Sequence, residues 1–147
     1  MSKQDEASLI LRLYELRREE VMRKARDWYV REFHPESRAD IENAMYGEHG
    51  SYLRMVTSYW DMAAALVHHE AISAELFNDT NGEHLLVYSK LEPFLAELRP
   101  VLGPGLLANI EKLVSVTPGA KERVAGIRER MKVVRAEIAA RQAKPVA

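Results

Sequence analysis

The sequence predicts an all-α protein, an irregular bundle of about six helices with a long N-terminal helix and a long C-terminal helix. Apolar residues recur every three or four positions over most of the 147 residues, which is the spacing of one helix face. Most glycines and prolines fall between these segments, where turns are expected. The one strand-like run, residues 85–88, has no partner strand, so we discount a sheet.

The first helix is predicted over residues 5–33. Its apolar positions repeat at helical spacing, and acidic residues precede basic residues by four positions in three pairs, which stabilises a helix. The His-Pro pair at 34–35 ends it, because the residue before a proline avoids the α-helical region. Ser37 then caps a short second helix that runs to Tyr46.

The third helix is predicted over residues 51–72, with Ser51 as its cap. It carries two adjacent apolar stripes, and a broad apolar face indicates burial on several sides. We therefore expect it at the centre of the bundle. The stripes are Tyr52, Met55, Tyr59, Met62 and Leu66, and Leu53, Val56, Trp60, Ala63 and Val67.

A helical turn is predicted from Ser73 to Phe77, and Thr80 with Glu83 has the spacing of a capping box for the next helix. That helix runs to about residue 99. It contains Pro93, which removes a backbone hydrogen bond, so we expect a kink or a division into two helices there. The residues expected to point inward are Tyr88, Leu91, Leu95 and Leu98.

Two further helices complete the chain. A short one is predicted over residues 106–116. The last begins at Thr117-Pro118, a cap followed by a proline in the first helical position, and runs to about residue 141. Residues 142–147 are expected to form a frayed tail, and residues 1–147 a single domain.

Composition narrows the classes of function. The absence of cysteine excludes disulfides, thiolate metal sites and cysteine nucleophiles. The polar N-terminus lacks a secretory pattern, and no apolar run is long enough to span a membrane, so we expect a cytoplasmic protein without a membrane span. The net charge is −1, but residues 51–98 carry two basic and seven acidic residues, whereas residues 99–147 carry ten basic and four acidic residues.

The sequence offers no recognisable catalytic motif. It has no nucleophile elbow, phosphate-binding glycine loop or zinc-protease signature, so we predict no catalytic residue and no cofactor, and we favour a non-enzyme. Nor does it contain the Glu-x-x-His pairs of di-metal bundles.

Histidines provide the remaining metal candidates. His69 lies on an apolar stripe and is expected to point inward, so it could meet His84 in the core, with Glu70 or Asp61 nearby. We favour a hydrogen-bonded structural histidine over a ligand, since an isolated buried histidine is usually of that kind. The aromatic residues around Trp60 could line a ligand pocket, but aromatics at helical spacing more often fill a core.

The last helix carries the sharpest pattern. Its apolar residues alternate at spacings of three and four, as in a coiled-coil seam, and basic residues flank them. The seam either packs on the acidic central part of the chain or forms a dimer interface, in which basic flanks would disfavour a parallel pair. The seam residues are Val124, Ile127, Met131, Val134 and Ile138.

Four segments carry a resemblance to a known family. They are residues 27–36 (DWYVREFHPE), 59–67 (YWDMAAALV), 91–99 (LEPFLAELR) and 109–113 (NIEKL). In this order they resemble a bacterial all-helical family known as domain of unknown function 4760, over about residues 9–116. The resemblance implies a helical fold and a structural ion pair between Arg99 and Glu111, and it brings no established activity.

The chain departs from the pattern of that family in two places. Members often carry a glycine after the central helix, where this chain has His69-Glu70-Ala71. Some members have a membrane segment near the N-terminus, which this chain lacks.

These observations favour a non-catalytic interaction or scaffold module that associates with itself as a homodimer, or with another protein. Two alternatives stay open. One is a binder of a small ligand or metal in a pocket formed by His69, His84 and Trp60. The other is a regulator that docks its basic last helix on an acidic partner or on nucleic acid, although no basic-aromatic interleaving favours nucleic acid.

Overall fold

The computed structural model describes residues 2–143, and this part of the chain is helical throughout, without strands. It contains nine α-helices and one 3₁₀ turn, more than the predicted six. In chain order the elements are α1 Lys3–Arg17, α2 Glu20–Arg31, α3 Arg38–Tyr46, α4 Gly50–His68, α5 Ala74–Thr80, α6 Glu83–Leu91, the 3₁₀ turn Glu92–Phe94, α7 Leu95–Leu102, α8 Ala108–Val116 and α9 Ala120–Ala143.

The prediction of one long N-terminal helix is wrong, because the helix is interrupted between α1 and α2. Glu19 leaves the helical conformation with ψ 145°, and its carboxylate accepts a hydrogen bond from the Met22 N–H at 3.1 Å. The Arg26 side chain donates to the carbonyl of Arg17 at 3.1 Å, so a side chain of α2 provides the hydrogen bond for a backbone carbonyl at the end of α1. No glycine or proline marks the break, and the apolar spacing runs across it.

The central position of α4 is confirmed. It packs against α2, α3, α6 and α8. Leu53, Val56, Trp60 and Ala63 are almost completely buried along its length. The helix begins at Gly50, one residue before the predicted Ser51. A Cβ at Gly50 would lie 2.1 Å from the Met45 carbonyl oxygen, so the turn between α3 and α4 requires glycine there.

The end of α4 shows what replaces the expected glycine. The helix stops at His68, short of the predicted residue 72, and Glu70 takes a left-handed conformation with φ +64°. The Ala71 N–H donates to the Leu66 carbonyl at 2.8 Å and the Glu70 N–H to the Val67 carbonyl at 2.9 Å. This is the hydrogen-bond pattern of a Schellman motif, in which the left-handed residue is usually glycine.

The segments after α4 match the sequence in part. Ser73 caps α5 as predicted, accepting from the Leu76 N–H at 3.2 Å. The predicted capping box is wrong: Thr80 belongs to α5 and its hydroxyl donates to the Leu76 carbonyl at 2.8 Å, while Gly82 precedes α6 without a side-chain cap. The Glu83 carboxylate instead accepts hydrogen bonds from Arg26 and Trp60.

The predicted division near Pro93 is confirmed. The 3₁₀ turn separates α6 from α7 and contains Pro93. The next helix continues past Pro100 to Leu102, beyond the predicted end. The inward positions are all buried: Tyr88, Leu91, Leu95 and Leu98.

The start of α8 depends on a residue from α4. Leu107 precedes the helix in a left-handed conformation with φ +52° and provides no side-chain cap. The Asp61 carboxylate instead accepts from the backbone N–H groups of Asn109 and Ile110, at 3.0 and 2.9 Å, and from the Asn109 side chain at 3.0 Å. A carboxylate at a helix N-terminus is stabilised by the helix dipole.

The last helix begins later than predicted. Thr117 is not its cap, because the Thr117 hydroxyl donates to the Leu113 carbonyl at 2.7 Å and closes α8. A turn through Gly119, with φ +77°, then leads into α9. This helix extends to Ala143, two residues into the segment predicted to fray, and the rest of that segment lies outside the described residues.

Replacing Glu70 with glycine should stabilise the protein. A left-handed conformation costs a non-glycine residue roughly 1–2 kcal/mol, partly offset by the chain entropy that glycine loses on folding. We expect E70G to raise the free energy of unfolding by about 0.5–1 kcal/mol in urea denaturation. The control is E75G in α5, where glycine should destabilise the helix. Equal destabilisation by both changes would contradict this account of the α4 terminus.

Removing the Asp61 carboxylate should destabilise the protein through α8. The substitution D61A leaves two backbone N–H groups without their acceptor, so we expect a loss of about 2 kcal/mol in the free energy of unfolding. The exposed Asp79 provides the control, since D79A removes an equal charge without a cap. The interpretation fails if the two variants unfold at the same urea concentration.

Candidate functional site

The structure places the two histidine candidates in different environments. His84 is buried, with its ring centroid 4.9 Å from Phe77 and 6.2 Å from Trp60. His69 is exposed and its ring lies 5.3 Å from that of His68, so the predicted inward orientation is wrong. It sits at the C-terminal cap of α4, where the helix has already ended.

The two carboxylates proposed as partners are also placed apart from His84. Glu70 is exposed in the turn after α4, and Asp61 is engaged at the start of α8. Within residues 2–143, no group of three or more histidine or acidic side chains is arranged to hold a metal ion. The pocket alternative built on His69, His84 and Trp60 therefore loses its geometric basis.

His84 is instead a buried neutral histidine. It is 1% exposed, and its Nδ1 has no hydrogen-bond partner within the described structure, which differs from the hydrogen-bonded histidine that we expected. Burial, together with the positive charge of Arg123, lowers the pKa of His84 to about 4. Protonation of His84 is therefore coupled to loss of the fold.

The aromatic residues fill the core, as favoured from the sequence. Trp28, Tyr29, Trp60 and Tyr88 are buried. The Tyr29 hydroxyl donates to the Val87 carbonyl at 2.7 Å, which joins α2 to α6. Buried tyrosines usually bond their hydroxyl in this way while the ring packs as an apolar group.

A polar network that sequence reasoning missed joins α2, α4 and α6. The Glu83 carboxylate accepts two hydrogen bonds from the Arg26 guanidinium, at 2.7 and 3.0 Å, and a third from Trp60 Nε1 at 2.9 Å. The hydrogen bond to Glu83 raises the pKa of Arg26. Its three members lie in three separate helices, so no local spacing in the sequence could reveal it.

The ion pair implied by the family resemblance is present. Arg99 Nη1 lies 3.2 Å from both carboxylate oxygens of Glu111. Arg99 also donates to the Leu106 carbonyl, through Nε at 3.2 Å and Nη2 at 3.1 Å. This one side chain therefore ties α7, the following loop and α8 together.

The seam predicted on the last helix divides into two parts. Val124 and Ile127 are buried and belong to the core. Met131 packs partly on that core. Arg128 donates to the Ser89 carbonyl at 3.1 Å and to Glu92 at 3.0 Å, so this part of α9 is attached to α6 and to an acidic partner within the chain.

The remaining part of α9, residues 132–143, forms a surface that we call the distal segment. All of its side chains are exposed except that of Ile138, which is partly buried. Val133 is 68% exposed and Val134 is 36% exposed. Arg135 contacts Glu36 at 3.2 Å, which is the described link between this segment and the α2–α3 connection. The five seam residues thus do not form one continuous interface.

The class of protein follows from this geometry: an all-helical module whose buried polar groups connect helices, and whose last helix extends past its core contacts. A family model described as Domain of unknown function (DUF4760) matches residues 5–115, and the chain belongs to this family. The match covers the Glu83 network, Asp61 and the Arg99–Glu111 pair, whereas α9 lies beyond it.

Two other comparisons gave no match. Neither a curated protein nor a solved structure is significantly similar to the chain. None of the helices within residues 2–143 has the length and hydropathy required to cross a bilayer.

The buried state of His84 predicts an acid-sensitive stability. The unfolded histidine binds a proton near pH 6.5 and the folded one only near pH 4, so stability falls as the pH decreases between these values. At pH 5 the contribution is about 2 kcal/mol.

Urea denaturation at pH 5 and pH 7.5 measures this effect. The variant H84L should lose less stability than the wild type on acidification, by about 2 kcal/mol. Because carboxylates also titrate in this range, H69L provides the control at an exposed histidine and should behave like the wild type. An identical pH dependence in H84L and the wild type would rule out the mechanism.

Proposed function

We propose that this protein is a non-catalytic interaction module that associates with a second copy of itself through the distal segment of α9. The observation that carries the proposal is the exposure of Val133 and Val134 on a helix that continues for several turns past its buried residues. A helix that docks on another helix does so through apolar side chains that are exposed in the free chain.

The stability of the segment supports an external partner. Isolated helices shorter than about 12–15 residues are marginal in water, and most helical stability in proteins comes from packing of an apolar face. Residues 132–143 contribute little to the core of their own chain, yet they continue α9 as regular helix. A partner helix would supply the packing that the chain does not.

Charge favours an antiparallel pair. The distal segment carries Lys132, Arg135 and Arg141 against one acidic residue, Glu137. A parallel dimer would place equivalent basic residues beside one another, which is destabilising. An antiparallel arrangement offsets them and lets Glu137 of each copy approach the basic residues of the other.

The buried polar groups support a non-catalytic role. Glu83 and Asp61 hold helices together, and each already accepts three hydrogen bonds. Arg99 has a similar connecting role. These groups are engaged in the architecture, which argues against their use in acid-base chemistry.

The proposal predicts a dimer that depends on the two exposed valines. In sedimentation velocity or light scattering, the 16.8 kDa chain should show twice its monomer mass at micromolar concentration, in both low and high salt. The double variant V133Q/V134Q should be a monomer with unchanged helicity, because glutamine keeps helix propensity and removes the apolar contact.

Val116 supplies a matched control. It is 73% exposed at the end of α8, away from the distal segment, so V116Q should remain a dimer. A wild-type chain that stays monomeric at every concentration would refute self-association. Salt-sensitive binding of acidic peptides or of DNA by such a monomer would then favour a basic docking helix.

A further inference from the structure

A small cationic cleft lies where α9 crosses α6 and the connection after α2. Its volume is about 120 Å³. Ligand pockets for whole small molecules typically measure roughly 300–1,000 Å³, so this cleft is suited to a single chemical group. Its titratable lining residues are all basic: His34, Lys90, Arg128, Lys132 and Arg135.

Lys90 places an amino group at this cleft and holds it in position. Its Nζ donates to the carbonyls of Tyr29, Val30 and Phe33, at 2.6, 3.2 and 2.7 Å. Three acceptors match the three hydrogens of an ammonium group. Burial and the charge of Arg135 lower the pKa of Lys90 to about 7. An anion bound nearby would therefore stabilise the protonated form of Lys90.

The acidic residues of this region do not line the cleft. Each contacts one basic side chain: Glu92 lies 3.0 Å from Arg128, Glu129 lies 3.0 Å from Lys132, and Glu36 lies 3.2 Å from Arg135. The three carboxylates offset Arg128, Lys132 and Arg135, and none of these three ion pairs includes Lys90. Arginine has five N–H donors, and the described contacts use one of Arg135 and two of Arg128.

We propose that this cleft binds a phosphate group, as the free anion or as part of a phosphomonoester. Arg128, Lys132 and Arg135 would contact the phosphate oxygens, since planar guanidinium groups form paired hydrogen bonds with such oxygens. Lys90 would contribute through its field, because its three hydrogens are already bonded within the chain. The site includes Lys132 and Arg135 of the distal segment, but phosphate binding at this site does not require a second copy of the chain.

His34 provides a direct readout. Its Nε2 lies 2.9 Å from the Arg31 carbonyl, and burial together with the charges of Lys90 and Arg135 lowers the pKa of His34. A bound phosphate would counter these two charges, so the His34 pKa should rise. NMR of the histidine ring during a titration with sodium phosphate, at constant ionic strength with sodium chloride as reference, measures this change on the full-length chain.

The variant K132Q/R135Q tests the ligands without threatening the fold. Both side chains are largely exposed, at 69% and 51%. Loss of two charge-assisted contacts should weaken phosphate binding at least about tenfold. The control is R141Q, which removes a basic residue of the same helix outside the cleft and should bind as the wild type does.

Two further probes separate the sources of the phosphate. Glycerol phosphate represents a soluble phosphomonoester, and vesicles containing phosphatidic acid represent a lipid headgroup. Binding of any of the three probes that is lost in K132Q/R135Q and retained in R141Q supports the site and identifies its ligand. If chloride shifts the His34 signals as phosphate does, or if K132Q/R135Q binds as tightly as the wild type, the proposal is overturned.

Discussion

The carboxylate of Glu83 is the point at which the helices of this protein are joined. It takes a bidentate contact from Arg26 and a third hydrogen bond from the Trp60 indole, so α2, α4 and α6 are fixed at one place. The two ionic side chains are only about one-fifth exposed, where an unpaired charge would be expensive. The hydrogen bonds among Arg26, Trp60 and Glu83 therefore fix the orientation of the central helix α4, in addition to its apolar packing.

The same principle operates at the other polar contacts. Asp61 on α4 supplies the cap of α8, and Lys90 on α6 satisfies the last carbonyls of α2. In both cases a side chain distant in the sequence bonds to backbone groups at a helix end. Short helices can then be held in place, which explains how the nine α-helices within residues 2–143 share one core instead of forming a regular bundle.

Helix class and the central position of α4 could be predicted because they depend on local periodicity and on the width of an apolar face. The division at Pro93 was likewise visible, since proline acts on its own helix. The helix interruption at Glu19 could not be predicted, because the local sequence favours a continuous helix. The interruption is stabilised by the Glu19 carboxylate, which caps α2, and by Arg26, which bonds to the Arg17 carbonyl. His69 was misplaced for a related reason: a stripe extrapolated past the left-handed turn at Glu70 no longer describes a helix face.

The candidate site shows the same limit. The apolar repeat of α9 correctly predicted a helix, but a sequence repeat does not say where the chain's own core ends, so buried Ile127 and exposed Val134 looked alike. The Glu83 network and the cationic cleft combine residues from distant parts of the chain. Their members carry ordinary local signals, and only the fold reveals that they meet.

The first turns of α9 have a consequence for the extent of the folding unit. Family similarity stops at residue 115, yet Ala120, Val124 and Ile127 are buried in the same core as the matched helices. A fragment that ended at residue 115 would expose the faces of α6 and α8 that pack against α9. The region matched by the family model is therefore shorter than the region that forms the hydrophobic core. A fragment designed to fold should retain the chain through at least Met131.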